Sequence, residues 1–152
     1  DLHLSLRRQR QMCIRDRYNL QGLNSEEILE AIDPNTFIFG ISLMFSQEWL
    51  PHRLLIEKIK KKYPKIIIVA GGEHSSAIPE YILRDCPSID YVIKGEGEFS
   101  MLEFSYNLFN EKSAGDIPGI CFIDEKNKFI DKKVEKDHSI KEQNYYKKHS
   151  KS

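Results

Sequence analysis

Two apolar runs in this 152-residue chain end in glycine-rich acidic turns. Residues 65–69 run into Ala70, Gly71, Gly72, Glu73 and His74, and residues 91–93 are soon followed by Gly95, Glu96, Gly97 and Glu98. Strands that end in this way restrict the fold sharply. In an open parallel α/β sheet, ligands sit beyond the carboxyl ends of the strands, because adjacent loops there part around a guest. Both turns are therefore expected to border one crevice.

The rest of the pattern alternates helix and strand. Asn24 is expected to cap a helix over 25–32, with Glu27 reaching back to the cap amide. Asp33 and Pro34 stop it, and 37–44 (FIFGISLM) reads as a strand covered on both faces. Ser46 is the expected cap of the next helix. In that helix His52, Ile56, Ile59 and Tyr63 share a face while Lys58, Lys60, Lys61 and Lys62 largely look to water. Pro64 precedes a strand over 65–70. Pro79 suits the first turn of a helix through Arg84 that ends at Cys86 and Pro87. A strand over 91–94 leads to an amphipathic helix over 99–110, with Met101, Leu102, Ser105, Leu108 and Phe109 on its buried stripe. Residues 120–123 and 128–130 flank a turn and predict a hairpin.

This order implies right-handed crossovers and a parallel α/β sheet. Three principal strands stand out where a doubly wound domain normally has about five. The domain is thus expected to be incomplete on its N-terminal side, with an opening strand, helix and second strand lost.

Charge is uneven along the chain. Residues 1–17 carry five Arg against two Asp, and residues 132–152 carry seven Lys against three acids. Residues 18–131 hold eleven basic and eighteen acidic residues, a balance of −7 that repels polyanions, so the folded part is not expected to bind nucleic acid. The string QMCIRDR within 1–17 resembles translated sequencing-adapter sequence. That segment is read as non-native or as a disordered arm, and 18–134 as a partial ligand-binding domain. The lysine-rich 135–152 reads as a linker. The longest uninterrupted apolar run is strand-sized, so no membrane partner is expected. Cys13, Cys86 and Cys121 form neither a disulfide framework nor a metal motif, and a cytoplasmic location follows.

Gly71 and Gly72 let a backbone take positive φ and let a flat or bulky ligand approach the main chain. For a Gly pair alone, a tight strand-to-helix turn is the stronger reading. His74 is compatible with an axial metal-ligand, acid–base or loop hydrogen-bonding role, and the last is favoured because no second metal-binding side chain lies at a matching spacing. Glu96 and Glu98 offer acceptors for hydroxyls or amides and repel a bare phosphate, and Glu98 also complements a helix dipole. Ser42, Leu43, Met44 and Phe45 occupy the third strand end. No nucleophile, metal or third partner accompanies the acids, so catalysis by this chain alone is not expected.

The succession GISLMFS, IIIVAGGEHSSAIPEYILRDCPSIDYVIKGEGE and IPGICF, over roughly 23–134, resembles the cobalamin-binding domain ahead of the catalytic barrel in B12-dependent radical S-adenosylmethionine enzymes. The GGEH loop, Pro79-Glu80, Asp90-Tyr91 and the GEGE turn match in order and spacing. The resemblance implies a Rossmann-like module whose strand ends hold the corrin and tuck its nucleotide tail into the sheet. Ser42, Leu43, Met44, Gly71, Gly72, Glu73, His74, Gly95, Glu96, Gly97 and Glu98 would then be the cofactor-binding residues. S-adenosylmethionine and a 4Fe-4S cluster would belong to a barrel in the same protein outside this chain, since no Cys-x-x-x-Cys-x-x-Cys motif is present. Nor is there an Asp-x-His-x-x-Gly motif: Asp1 and His3 imitate its start, but Leu6 takes the glycine position. Histidine ligation of cobalt is therefore not expected. The alternative is a flavodoxin-like or receiver-like module without B12. A receiver needs acids at its strand ends, and FIFGISLM ends without one.

Overall fold

A computed structural model describes residues 24–133. The expected basic arm over 1–17 and the expected linker over 135–152 lie outside the described residues. Asn24 opens helix α1 (Ser25–Ala31): its side chain accepts from the amides of Glu26 and Glu27, and Glu27 accepts from the Asn24 amide at 2.8 Å, completing the expected capping box. After a turn at Asp33 comes strand β1 (Ile38–Ser42), a 3₁₀ turn over Ser46–Glu48, and helix α2 (Trp49–Lys62). Strand β2 (Ile67–Gly71), the short helices α3 (Glu73–Ala77) and α4 (Pro79–Asp85), and strand β3 (Tyr91–Ile93) follow. Helix α5 (Gly97–Phe109) then leads to strands β4 (Ile120–Ile123) and β5 (Phe129–Asp131).

The strands lie in one sheet in the order β1-β2-β3-β4-β5. β1, β2 and β3 are parallel, with Ser42 opposite Gly71 and Val69 opposite Tyr91, so their carboxyl ends share one edge of the sheet. The predicted hairpin is not an appendage. β4 pairs antiparallel with β3 through Val92 and Cys121 and carries β5 outward, giving a mixed five-stranded sheet. Side chains alternate across the strands. Ile68, Ala70, Phe39, Ile41 and Val92 face a large core with Leu29, Ile56, Ile59, Ile82 and Leu83 of α1, α2 and α4. Ile38, Val69 and Ile93 face a smaller one around Phe104 of α5.

Several details differ from the sequence expectation. Ser46 does not cap α2: the helix begins through the 3₁₀ turn without a side-chain cap. Lys60 does not look to water. Its ammonium donates to the Ile66 carbonyl and to Asp90, both at 2.7 Å, and Asp90 also accepts from the Ile68 amide, tying α2 to the starts of β2 and β3. On α5 the fully buried positions are Ser100 and Phe104, with Phe109 76% exposed. The face is turned because Tyr91 receives Phe104 edge-on at 4.9 Å and Ser100 donates its hydroxyl proton to the Pro118 carbonyl.

Candidate functional site

The loops after β1 and β2 are bonded to each other. The Leu43 amide donates to the Gly71 carbonyl at 2.6 Å, and the His74 amide donates to the Leu43 carbonyl at 3.0 Å. Gly72 stands at φ +95°, where a Cβ would lie 2.6 Å from the Leu43 oxygen, so only glycine allows this approach. At Gly72 the close neighbour is thus the chain itself. Gly71 is freer: a Cβ there would meet only the Ile93 carbonyl, at 3.7 Å. Leu43 sinks its side chain into the core, whereas Met44 and Phe45 are exposed.

The loop after β3 joins the other two through one side chain. The Gly95 amide, at φ +69°, donates to the Ser76 hydroxyl at 3.1 Å. Gly97 opens α5 against Ile93, and Glu96 precedes it without capping the helix through its side chain. Glu73, Glu96 and Glu98 are exposed. Lys94, the cation nearest in sequence to these acids, pairs with Asp131 instead. The rim therefore offers carboxylate and backbone acceptors, which suit a ligand rich in amide or hydroxyl donors and repel a bare phosphate.

His74 is the best-supported side chain in the group. Its Nδ1 lies 3.1 Å from the Ser46 hydroxyl, its ring packs beside Trp49 at 6.2 Å between centroids, and its Nε2 is buried without a partner. Trp49 is itself anchored, donating its indole N–H to Asp85 at 2.9 Å. All three expected loops thus meet at one end of the sheet. Sequence reasoning missed Ser46, Trp49 and Ser76 as members of this cluster. No local signal marks them, because their partners lie 28, 25 and 19 residues away.

Among the described residues no three His, Cys, Asp or Glu side chains converge to hold a metal ion, and no helix is long and apolar enough to cross a membrane. Two grooves of about 500 Å³ lie away from the loops. One is at the opposite end of the sheet, lined by Ile67, Pro87, Tyr91 and Asn127, and the other runs along α2 at Leu50 and Leu54. The charges lining the first are committed to internal pairs, Arg84 with Glu80 and Asp90 with Lys60. Among the described residues, only the loop cluster combines glycine turns, free acceptors and an unsatisfied buried nitrogen.

Residues 11–104 match the family model described as B12 binding domain. The chain belongs to the B12-binding domain family. Cobalamin is the cofactor of this family. Over 97 residues, 63% of this chain, this B12-binding domain is 31% identical to the uncharacterized methyltransferase PH0819 of Pyrococcus horikoshii. The chain spans about one fifth of the length of the curated relatives it matches. TsrM, a radical S-adenosylmethionine methyltransferase from Kitasatospora setae solved with cobalamin and a 4Fe-4S cluster, aligns with a TM-score of 0.65 at 19% identity. That alignment covers 77% of this chain and 22% of TsrM. OxsB, a cobalamin-dependent S-adenosylmethionine radical enzyme solved with aqua-cobalamin, also gives 0.65, at 23% identity over 76% of this chain and 16% of OxsB. These two likenesses establish the Rossmann-like fold. The loop chemistry fits the cofactor: a corrin carries amide arms, for which exposed carboxylates, loop carbonyls and the orphaned His74 Nε2 are complementary.

Proposed function

We propose that the B12-binding domain holds cobalamin across the loops that follow β1, β2 and β3. Its contact residues are Ser42, Leu43 and Met44 on the first loop, Gly71, Gly72, Glu73 and His74 on the second, and Gly95, Glu96, Gly97 and Glu98 on the third. Leu43 serves by tying the first two loops together through its backbone bonds to Gly71 and His74, and Met44 acts through its exposed side chain. Glu73, Glu96 and Glu98 accept from amide arms. The observation that carries this assignment is the convergence of the three loops at one sheet edge, with His74 Nε2 shielded and one hydrogen bond short.

When bound, cobalamin supplies a cobalt centre able to carry a methyl group or to assist radical chemistry. The chain's own part is to bind and orient it. In the whole protein we propose a radical S-adenosylmethionine barrel in cis, holding the S-adenosylmethionine and the 4Fe-4S cluster, with residues 18–134 as the cobalamin domain and 135–152 as the connection to that barrel. A cytoplasmic setting accords with the free thiols of Cys86 and Cys121. Gel filtration after mixing with hydroxocobalamin tests the binding. Corrin absorbance co-eluting near one per chain at micromolar protein is expected, and protein eluting free of corrin overturns the proposal.

A further inference from the structure

The His74 ring is held from two sides by residues far from it in sequence. Ser46 Oγ lies 3.1 Å from Nδ1, and Trp49, fixed by its bond to Asp85, flanks the ring. Asp85 is in turn bridged by Arg53 at 3.1 Å, so the indole is anchored to α4. A neutral imidazole has one donor and one acceptor nitrogen, and what bonds to one determines what the other presents. The hydroxyl carries its own proton, and an imidazole lone pair is a good acceptor for it. Nε2 is closed off from water, so bulk solvent does not supply its missing bond, and such a group in a folded chain calls for an explanation.

We propose that Ser46 is a positioning residue of the cobalamin site. Its hydroxyl donates to His74 Nδ1, keeps the ring proton on Nε2 and so presents an N–H donor to an amide carbonyl of the corrin. This rests on the assignment of the three loops as the cofactor site. Ser46 is exposed and caps no helix, so replacing it tests the hydrogen bond and not the fold.

The test is long-range ¹H–¹⁵N NMR on the full chain with ¹⁵N-labelled histidine, under conditions where the imidazole is neutral, with His74 assigned by comparison with His74→Gln. The wild type is expected to show the Nε2–H tautomer. Ser46→Ala should lower the ratio of Nε2–H to Nδ1–H about fivefold, and Ser46→Thr should restore it. Identical His74 nitrogen shifts in all three proteins, or an Nδ1–H wild type, overturn the proposal. Titration with hydroxocobalamin separates the two levels of inference. About fivefold weaker binding by Ser46→Ala, recovered in Ser46→Thr, supports the positioning role. Equal affinity in all three refutes that role and leaves the cofactor site standing, whereas no binding by the wild type refutes both.

Discussion

Gly72 and Gly40 carry opposite consequences for the same change. A Cβ at Gly72 would strike the Leu43 carbonyl at 2.6 Å in a backbone already at φ +95°, so Gly72→Ala is expected to cost about 1–3 kcal/mol. A Cβ at Gly40, inside β1, would meet nothing within 4 Å, and Gly40→Ala should stabilise by about 0.4–1 kcal/mol through the unfolded chain. Urea midpoints of the two variants check the pair. Cys121 adds a pH dependence. Burial pushes its thiol up to about 12, against the opposing pull of Lys94 and with reinforcement from Asp131. Its folded value lies above the ordinary 9.0, so its contribution to stability is fully present below pH 9 and fades as pH climbs towards 12, where the unfolded thiol has already ionised. Unfolding free energy measured from pH 8 to 11 should fall more steeply for the wild type than for Cys121→Ala. Parallel curves contradict this.

Among the helices and strands, Asp90 has the widest reach. It accepts from the Ile68 amide and the Lys60 ammonium at the entry to two parallel strands, so Asp90→Ala leaves both donors short and should cost about 1–3 kcal/mol by thermal unfolding. The elements themselves were legible where the signal is local. Asn24 with Glu27 announced α1, Pro64 separated α2 from β2, Pro79 set the first turn of α4, and the glycine turns marked the ends of β2 and β3. Contacts between distant segments were not legible. Ser46 carries a good capping side chain, but its hydroxyl goes to His74, 28 residues on. The buried line of α5 turns about one position away from its most apolar stripe, because Tyr91 receives Phe104 and the Pro118 carbonyl satisfies Ser100. Helix α3 leaves no mark in the sequence, because five residues following two glycines carry too short a period to register.

In the whole molecule the two ends of the sheet are built differently. At the amino ends of β2 and β3, Lys60 pairs with Asp90 and fastens α2 to the strands, while Arg84 pairs with Glu80 within α4. At the carboxyl ends the carboxylates of Glu73, Glu96 and Glu98 are exposed, glycine lets the loops after β1 and β2 touch, and the loop after β3 is joined to them through Ser76. That asymmetry, with membership in the B12-binding domain family, supports the proposal that the carboxyl ends hold cobalamin. Amide hydrogen exchange of the chain with and without hydroxocobalamin tests this assignment. Exchange should slow at residues 42–46, 71–76 and 95–98 and stay unchanged in the hairpin over 120–131. Unaltered exchange in the three loops, or protection confined to the opposite end of the sheet, would contradict it.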